Sequence, residues 1–328
     1  SFLVTAFSIK RHCTAKGSDR AHALTIRILL MVPTYSLVAW LSLLYRFTTF
    51  SKVLVAFQKL YECIVLFAFL QLLVVYLGGI EGCRRKLKPE NCRHIIPVSW
   101  FVQTHWATPI LFVRRSLSLV VFYVPVLLGC FFVTVMAYFC GGHTEFKLVT
   151  DACSAVTFLG TFLAMYGLVL FYHGNMELLI PVKPLGKLAS IKLLVMISAW
   201  QEFAVKAANY FGAFDAWVER SKSHYTKEQF SEAVISALLI VEMLFLSILH
   251  TCIWPASEPL YHPLQSEPSN QTDPPEPITN VEEQTRPAHN CRRHFADRAS
   301  LVLHLHDVLD FYREIKRHTP SETTAVLE

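Results

Sequence analysis

The sequence predicts an all-α membrane protein: a seven-transmembrane-helix bundle with its first helix truncated, followed by a mostly disordered cytoplasmic tail. Three observations carry this. Of 328 residues, 53% are hydrophobic and 17% charged, whereas soluble domains carry about 25% charged residues. The apolar residues gather into six runs long enough for a bilayer core, which takes roughly 20 residues of helix. The runs are continuous rather than alternating, and amides in hydrocarbon must pair within their own segment, so helices are predicted rather than a β-barrel.

The elements follow in order. Residues 1–9 are apolar but too short to span, and they fit the last turns of a first helix whose start lies upstream, as a chain beginning at Ser1 without Met also suggests. Six spans are placed at 24–45, 53–79, 116–139, 150–173, 188–212 and 229–254, giving a bundle over 1–254. Pro33 and Pro125 fall inside two of them and predict packing kinks, since each removes a backbone donor. Residues 255–296 read as a disordered linker, rich in Pro, Ser, Glu and Asn at its start. In 297–318, Leu301, Leu305, Val308, Tyr312 and Ile315 recur at helical spacing, with Asp307, Asp310, Arg313 and Arg317 elsewhere on the wheel. This amphipathic helix docks under the bundle, lies on the membrane or binds a partner, and sequence does not choose. Residues 319–328 are a disordered end.

Basic residues in short loops set the orientation. Lys10, Arg11, Lys16, Arg20 and Arg27 precede the second helix. Arg84, Arg85, Lys86, Lys88, Arg93, Arg114 and Arg115 follow the third, and Lys183, Lys187 and Lys192 precede the sixth, fifteen in all. The alternate loops hold six: Arg46, Lys52, Lys147, Arg220, Lys222 and Lys227. The first set is predicted cytoplasmic, the N-terminus external and the tail internal. Trp40, Tyr45, Tyr138, Trp217 and Trp254 sit near the predicted boundaries, as an aromatic belt requires. The one sequon, Asn270-Gln271-Thr272, falls inside and is expected to stay unglycosylated. In such a protein the net charge of +5 is no sign of a nucleic-acid partner; the bilayer is the partner.

Ionisable residues within a span are costly and usually face the bundle interior or a wet cavity. Glu62 lies in the third helix with Gln58 one turn earlier on the same face. Gln201 and Glu202 lie near the middle of the sixth, where Ser198, Glu202, Lys206 and Asn209 form a polar stripe. Glu242 is at mid-depth in the seventh, with His250 nearer its inner end. Two readings stand: a polar path for a solute, or interhelical hydrogen bonds with desolvated carboxyls. Lys206 and Asn209 approach the outer interface, and Arg27 suits a snorkelling anchor.

Other chemistries find no pattern. Nine scattered cysteines include no C-x-x-C pair, so no zinc or redox site is indicated. Cys83 and Cys92 read as palmitoylation sites or, more simply, as free thiols. There is no H-E-x-x-H, G-x-S-x-G or Walker A string. No enzyme, metal or cofactor is expected, and any driving force is a solute or ion gradient. His304, His306 and Asp307 read as a solvated face, since residues two apart on a helix diverge.

Several strings resemble one family: Arg27 through Pro33 to Ser36, Tyr61-Glu62, Tyr76-Leu77-Gly78-Gly79, Phe171-Tyr172, Pro181 to Pro184 with Lys187 and Lys192, Trp200-Gln201, and Glu242-Met243 followed by His250. Their order and spacing are similar to the family uniting the organic solute transporter alpha subunit, the plant Lazarus proteins and the transmembrane protein 184 group. Asp307 to Phe311 resembles a short element after the last helix in some members. The resemblance implies seven helices with the orientation above, and transport of amphipathic organic anions such as steroid conjugates and bile acids. It also implies a separate single-pass beta-type subunit in the animal transporter, and vacuolar or endosomal membranes as well as the plasma membrane. The expected function is a transporter subunit working by facilitated diffusion. Glu62, Gln201, Glu202 and Glu242 shape its path, and Arg27 or Lys192 holds an anionic head group. Homo-oligomers are a further expectation. The alternative is a seven-helix receptor or scaffold that senses a lipid or sterol and signals through its tail.

Overall fold

The computed structural model describes residues 1–45, 50–92, 108–140, 142–215, 226–257 and 305–317, and its described elements are all helical. In chain order they are α1 Phe2–Thr14, α2 Asp19–Leu29, α3 Met31–Leu44, α4 Phe50–Tyr76, α5 Gly79–Lys86, α6 Pro109–Cys140, α7 His143–Gly174, α8 Met176–Leu179, α9 Pro184–Tyr210, α10 Lys227–Ile253 and α11 Leu305–Arg317. Among the described residues five helical segments are long and apolar enough to cross a membrane: Asp19–Leu44, Phe50–Tyr76, Pro109–Cys140, Thr144–Gly174 and Gln229–Ile253.

Local chemistry explains where the helices begin and break. Ser18 caps α2 by accepting from the Ala21 amide, with Asp19 in the first turn. Leu30 interrupts the segment, separating α2 from α3. Pro33 supplies the cause, because its ring displaces the carbonyl of the residue four earlier, Leu29. Pro125, by contrast, sits inside an unbroken α6. Gly78 and Gly79 (φ +87° and +82°) end α4 in the left-handed region that glycine adopts without a Cβ penalty. Thr226 and Gln229 form a capping box at the start of α10.

The bundle is built around α4. It packs on α2, α3 and α6; α6 packs on α7, while α10 lies between α3 and α9. More than half of the hydrophobic window is buried in Asp19–Leu44 and α4 (61% and 56%), but only about a third or less in α6, α7 and α10 (33%, 28% and 28%). The outer helices present Phe122, Phe132, Phe139, Phe158 and Phe162 outward. So much contiguous apolar surface suits lipid, not water.

The α6–α7 contact runs along a glycine seam. An ideal Cβ at Gly160 meets Tyr123 Cδ2 at 2.8 Å, at Gly167 the Ser116 carbonyl oxygen and Leu119 Cβ at 2.8 Å, and at Gly174 Phe112 Cε1 at 2.5 Å. The three glycines recur every seven residues, so one face of α7 lets the backbones approach, as small residues do between membrane helices.

At the end of the bundle carrying most of the basic residues, buried polar groups tie the helices together. His12 on α1 places Nδ1 3.2 Å from His22 Nδ1 on α2, and Nε2 3.1 Å from the Trp254 carbonyl after α10. Lys187 of α9 donates to the Val182 carbonyl at 2.9 Å, and its Nζ lies 5.5 Å from the Trp254 ring centroid. The tail helix α11 docks on the bundle, against α6 and with Phe311 edge-on to Phe67 of α4. Its buried seam is Val308, Phe311 and Ile315. Tyr312, assigned to the apolar stripe from the sequence, is 42% exposed and Phe311 takes that place. The start of the predicted tail helix, most of the linker, the Asn270 sequon, Trp217 and His304 lie outside the described residues, as do the side chains of His306 and Asp307.

Cys83 and Cys92 are both buried, and burial pushes their thiols up to about 12 and about 11. A thiol so shielded is a poor nucleophile, which favours the reading of free structural thiols over acylation.

Three outcomes follow. Gly167→Leu forces the seam apart and is expected to cost about 1–3 kcal/mol or more, read as a lower Tm in detergent. Gly129→Ala on α6, whose Cβ meets nothing within 4 Å, is expected to hold or raise Tm through helix propensity. Maleimide at neutral pH is expected to label the exposed Cys140 in folded protein while sparing Cys83 and Cys92; mass spectrometry with and without denaturant checks it.

Candidate functional site

Within the spanning region the clearest polar constellation centres on Glu62. It lies near the middle of α4, a mostly apolar helix, with its side chain only 5% exposed. Lys192 reaches it from α9 and donates to Oε1 at 2.6 Å. Lys59, one turn earlier on α4 and half-exposed, holds Nζ 3.9 Å from the other carboxylate oxygen. The carboxylate thus has one close cation from across the bundle and one looser cation on its own helix. α9 rests its backbone on α10 rather than on α4, so the long lysine side chain bridges the gap.

Tyrosines lie in the neighbourhood of this pair. Gln58, one turn before Glu62, shares a hydrogen bond with Tyr35 of α3. Tyr35, Tyr123 of α6 and Cys63 lie within electrostatic reach of Glu62. Tyr123 hydrogen-bonds Thr161 of α7, and the Tyr61 hydroxyl donates to the Arg27 carbonyl at 3.0 Å. The neighbourhood of the ion pair is therefore amphipathic, combining aromatic rings with hydroxyl groups. Such an ion pair has large desolvation costs and comparable mutual attraction, and removing one partner alone typically costs about 3–5 kcal/mol.

Of the residues singled out from the sequence, the structure brings Glu62 and Lys192 together. Arg27 is half-buried in the last turn of α2, engaged with α4 through its carbonyl. Gln201 lies nine residues beyond Lys192 on α9, with Oε1 buried and no hydrogen-bond partner. Glu242 is half-buried on α10 with Oε2 shielded from solvent. The Glu202 side chain lies outside the described residues. Lys206 is exposed on α9. Lys59, Tyr35 and Tyr123 were not singled out. Lys59 is three residues from Glu62, a spacing that signals a helical neighbour; a tyrosine in an apolar run carries no comparable signal.

The match to known proteins agrees with this architecture. The model of the family described as organic solute transporter Ostalpha matches residues 1–259. A transmembrane protein 184 homolog of Dictyostelium discoideum is 24% identical over 254 residues, covering 76% of this chain and 48% of the relative. The chain thus spans about half the length of that curated relative. No solved structure matches. The match covers the whole helical bundle together with the Glu62–Lys192 pair, and the chain belongs to the organic solute transporter Ostalpha family.

Proposed function

We propose that this membrane solute transporter subunit passes amphipathic organic anions, of the steroid-conjugate or bile-acid type, by facilitated diffusion between α4 and α9. The Glu62–Lys192 bridge carries the reading. Lys192 is the cation an anionic head group would engage, and Glu62 keeps it from standing unpaired when the path is empty. Lys59, 3.9 Å from Glu62, retains the carboxylate while Lys192 is on the solute. Charge is thus exchanged rather than exposed, which avoids the cost of an isolated ion at membrane depth. The phenols and Gln201 offer the solute aromatic faces and sparse hydrogen bonds. In this reading α1 and α9 complete seven crossings, with the basic end cytoplasmic. A single-pass beta-type subunit or a second copy assists, and the plasma membrane or an endosomal or vacuolar membrane is the site of action.

One observation favours a second reading. α11 docks on α6 and reaches the core helix that carries Glu62 through one ring contact, Phe311 against Phe67. A lipid- or sterol-responsive receptor that signals through its tail would use such a contact.

Uptake of a labelled steroid sulfate by cells expressing the full-length protein, with and without a single-pass partner, separates the two. Glu62→Gln or Lys192→Met alone is expected to lower Tm and cut saturable uptake at least tenfold. The double variant is expected to recover Tm, since neither charge is left without its partner, yet not uptake, since the anion's cation is gone. Wild-type flux in the double variant would make the pair purely structural. No flux at all, despite surface delivery and with either partner arrangement, would favour the receptor.

A further inference from the structure

At the basic end of the bundle, apart from the Glu62 site, lies a cavity of about 360 Å³ that opens outward and is lined by Arg11, Thr14, Ala15, Lys16, Ala256 and Ser257. Its size falls at the small end of the about 300–1,000 Å³ range of ligand pockets. Three chain segments form it: the last turn of α1, the loop to α2, and the exit from α10. The buried histidines behind it join these segments. His12 binds the Trp254 carbonyl, two residues before Ala256; His22 binds the carbonyl of Lys16 at 3.3 Å; and the two tilted rings meet at their Nδ1 atoms. The walls are thus held by a hydrogen-bonded clasp.

The side chains are of one electrostatic sign. Arg11 and Lys16 supply two cations, and among the six lining residues there is no carboxylate. Above the cavity, the same face of α1 is apolar: Leu3, Phe7 and Arg11 are spaced four apart, and Leu3 and Phe7 are exposed (88% and 59%). One helix face therefore runs from lipid-facing hydrocarbon into a cationic cup, the profile of a phospholipid with its chains beside Leu3 and Phe7 and its head group below. Two cations match a phosphomonoester, which carries about −1.5 to −2 charge at neutral pH. Arginine favours phosphate through its bidentate fork.

We propose that this cavity binds the phosphomonoester head group of an anionic phospholipid in the leaflet on the basic side of the bundle. The proposal does not rest on the transport reading.

The test is native mass spectrometry and lipid titration of the full-length protein in nanodiscs. The probes are phosphatidylinositol 4-phosphate, phosphatidic acid and phosphatidylcholine, with inorganic phosphate and water-soluble inositol phosphate as competitors. Saturable binding of the two phosphomonoester lipids, but not phosphatidylcholine, is expected. Arg11→Ala/Lys16→Ala is expected to weaken it at least tenfold with Tm unchanged. Arg84→Ala/Arg85→Ala, which removes equal charge outside the cavity, is expected to leave it intact, and Arg11→Lys to restore part of it in the Lys16 background. Equal loss in both double variants would mean general surface attraction and overturn the site. Displacement by soluble phosphates at the lipid's own affinity would overturn the lipid assignment in favour of a soluble anion. A Tm loss in the Arg11/Lys16 variant is resolved by Arg11→Gln/Lys16→Gln, which keeps the side-chain bulk; full lipid binding there overturns the proposal.

Discussion

Hydrocarbon offers no partner to an amide, and that constraint shapes nearly every other feature of this chain. Each span must close its hydrogen bonds within itself, so departures from helix are confined to places where the chain supplies its own remedy. The interruption at Leu30 sits between two well-packed helices, three residues ahead of the proline ring. The left-handed pair Gly78 and Gly79 lies where α4 has already left its apolar run. Pro125 costs α6 a bond yet leaves it unbroken, and the glycine seam holds the part of that helix before the proline, from Phe112 to Tyr123, against α7.

The second consequence concerns charge. Once helices occupy the hydrocarbon, a carboxylate at mid-depth must find a cation or lose its charge. Glu62 finds two, at 2.6 and 3.9 Å. A bridge of this kind contributes little net stability against a well-packed apolar alternative. It stands where the polar start of α4, with Gln58 and Lys59, gives way to a run dominated by leucine, valine and phenylalanine, so the stability of the fold does not by itself call for a charge there.

Sequence made most of the architecture legible, because long apolar runs are read directly. It was weakest where charge and apolarity mix. The predicted start at 24 misses the first turn and a half of α2, since Asp19, Arg20 and His22 lower the local hydropathy, although His22 is buried. The remnant placed at 1–9 continues to Thr14 because Lys10, Arg11 and His12 extend the same helix. Glu62 stood out as an isolated ionisable group, but its partner did not. Lys192 lies 130 residues away, in a run that also reads as a positive-inside flank, and periodicity carries no information at that separation. The burial of Cys83 depends on α5 meeting α4 and α6, which no local pattern encodes. In α11 the sequence stripe took Tyr312, whereas Phe311, about 100° away on the wheel, is the residue that the bundle's surface buries.

These differences in packing also indicate which parts are free to move. α4 is held by α2, α3 and α6, with one ring contact to the tail helix, and much of its surface is buried. α9 has α10 as its main backbone neighbour, and its outer residues Trp200, Phe203 and Tyr210 face away from the protein. A displacement that opens the space between α4 and α9 would leave the α6–α7 seam intact. In that geometry the side chain of Lys192 is the main tie to be released, and an anion arriving at its Nζ supplies the compensation that Glu62 gives in the closed state. Local stability is lowest where buried contacts are fewest, so the burden of motion in the transport proposal falls on α9 with α10, against a stationary α4.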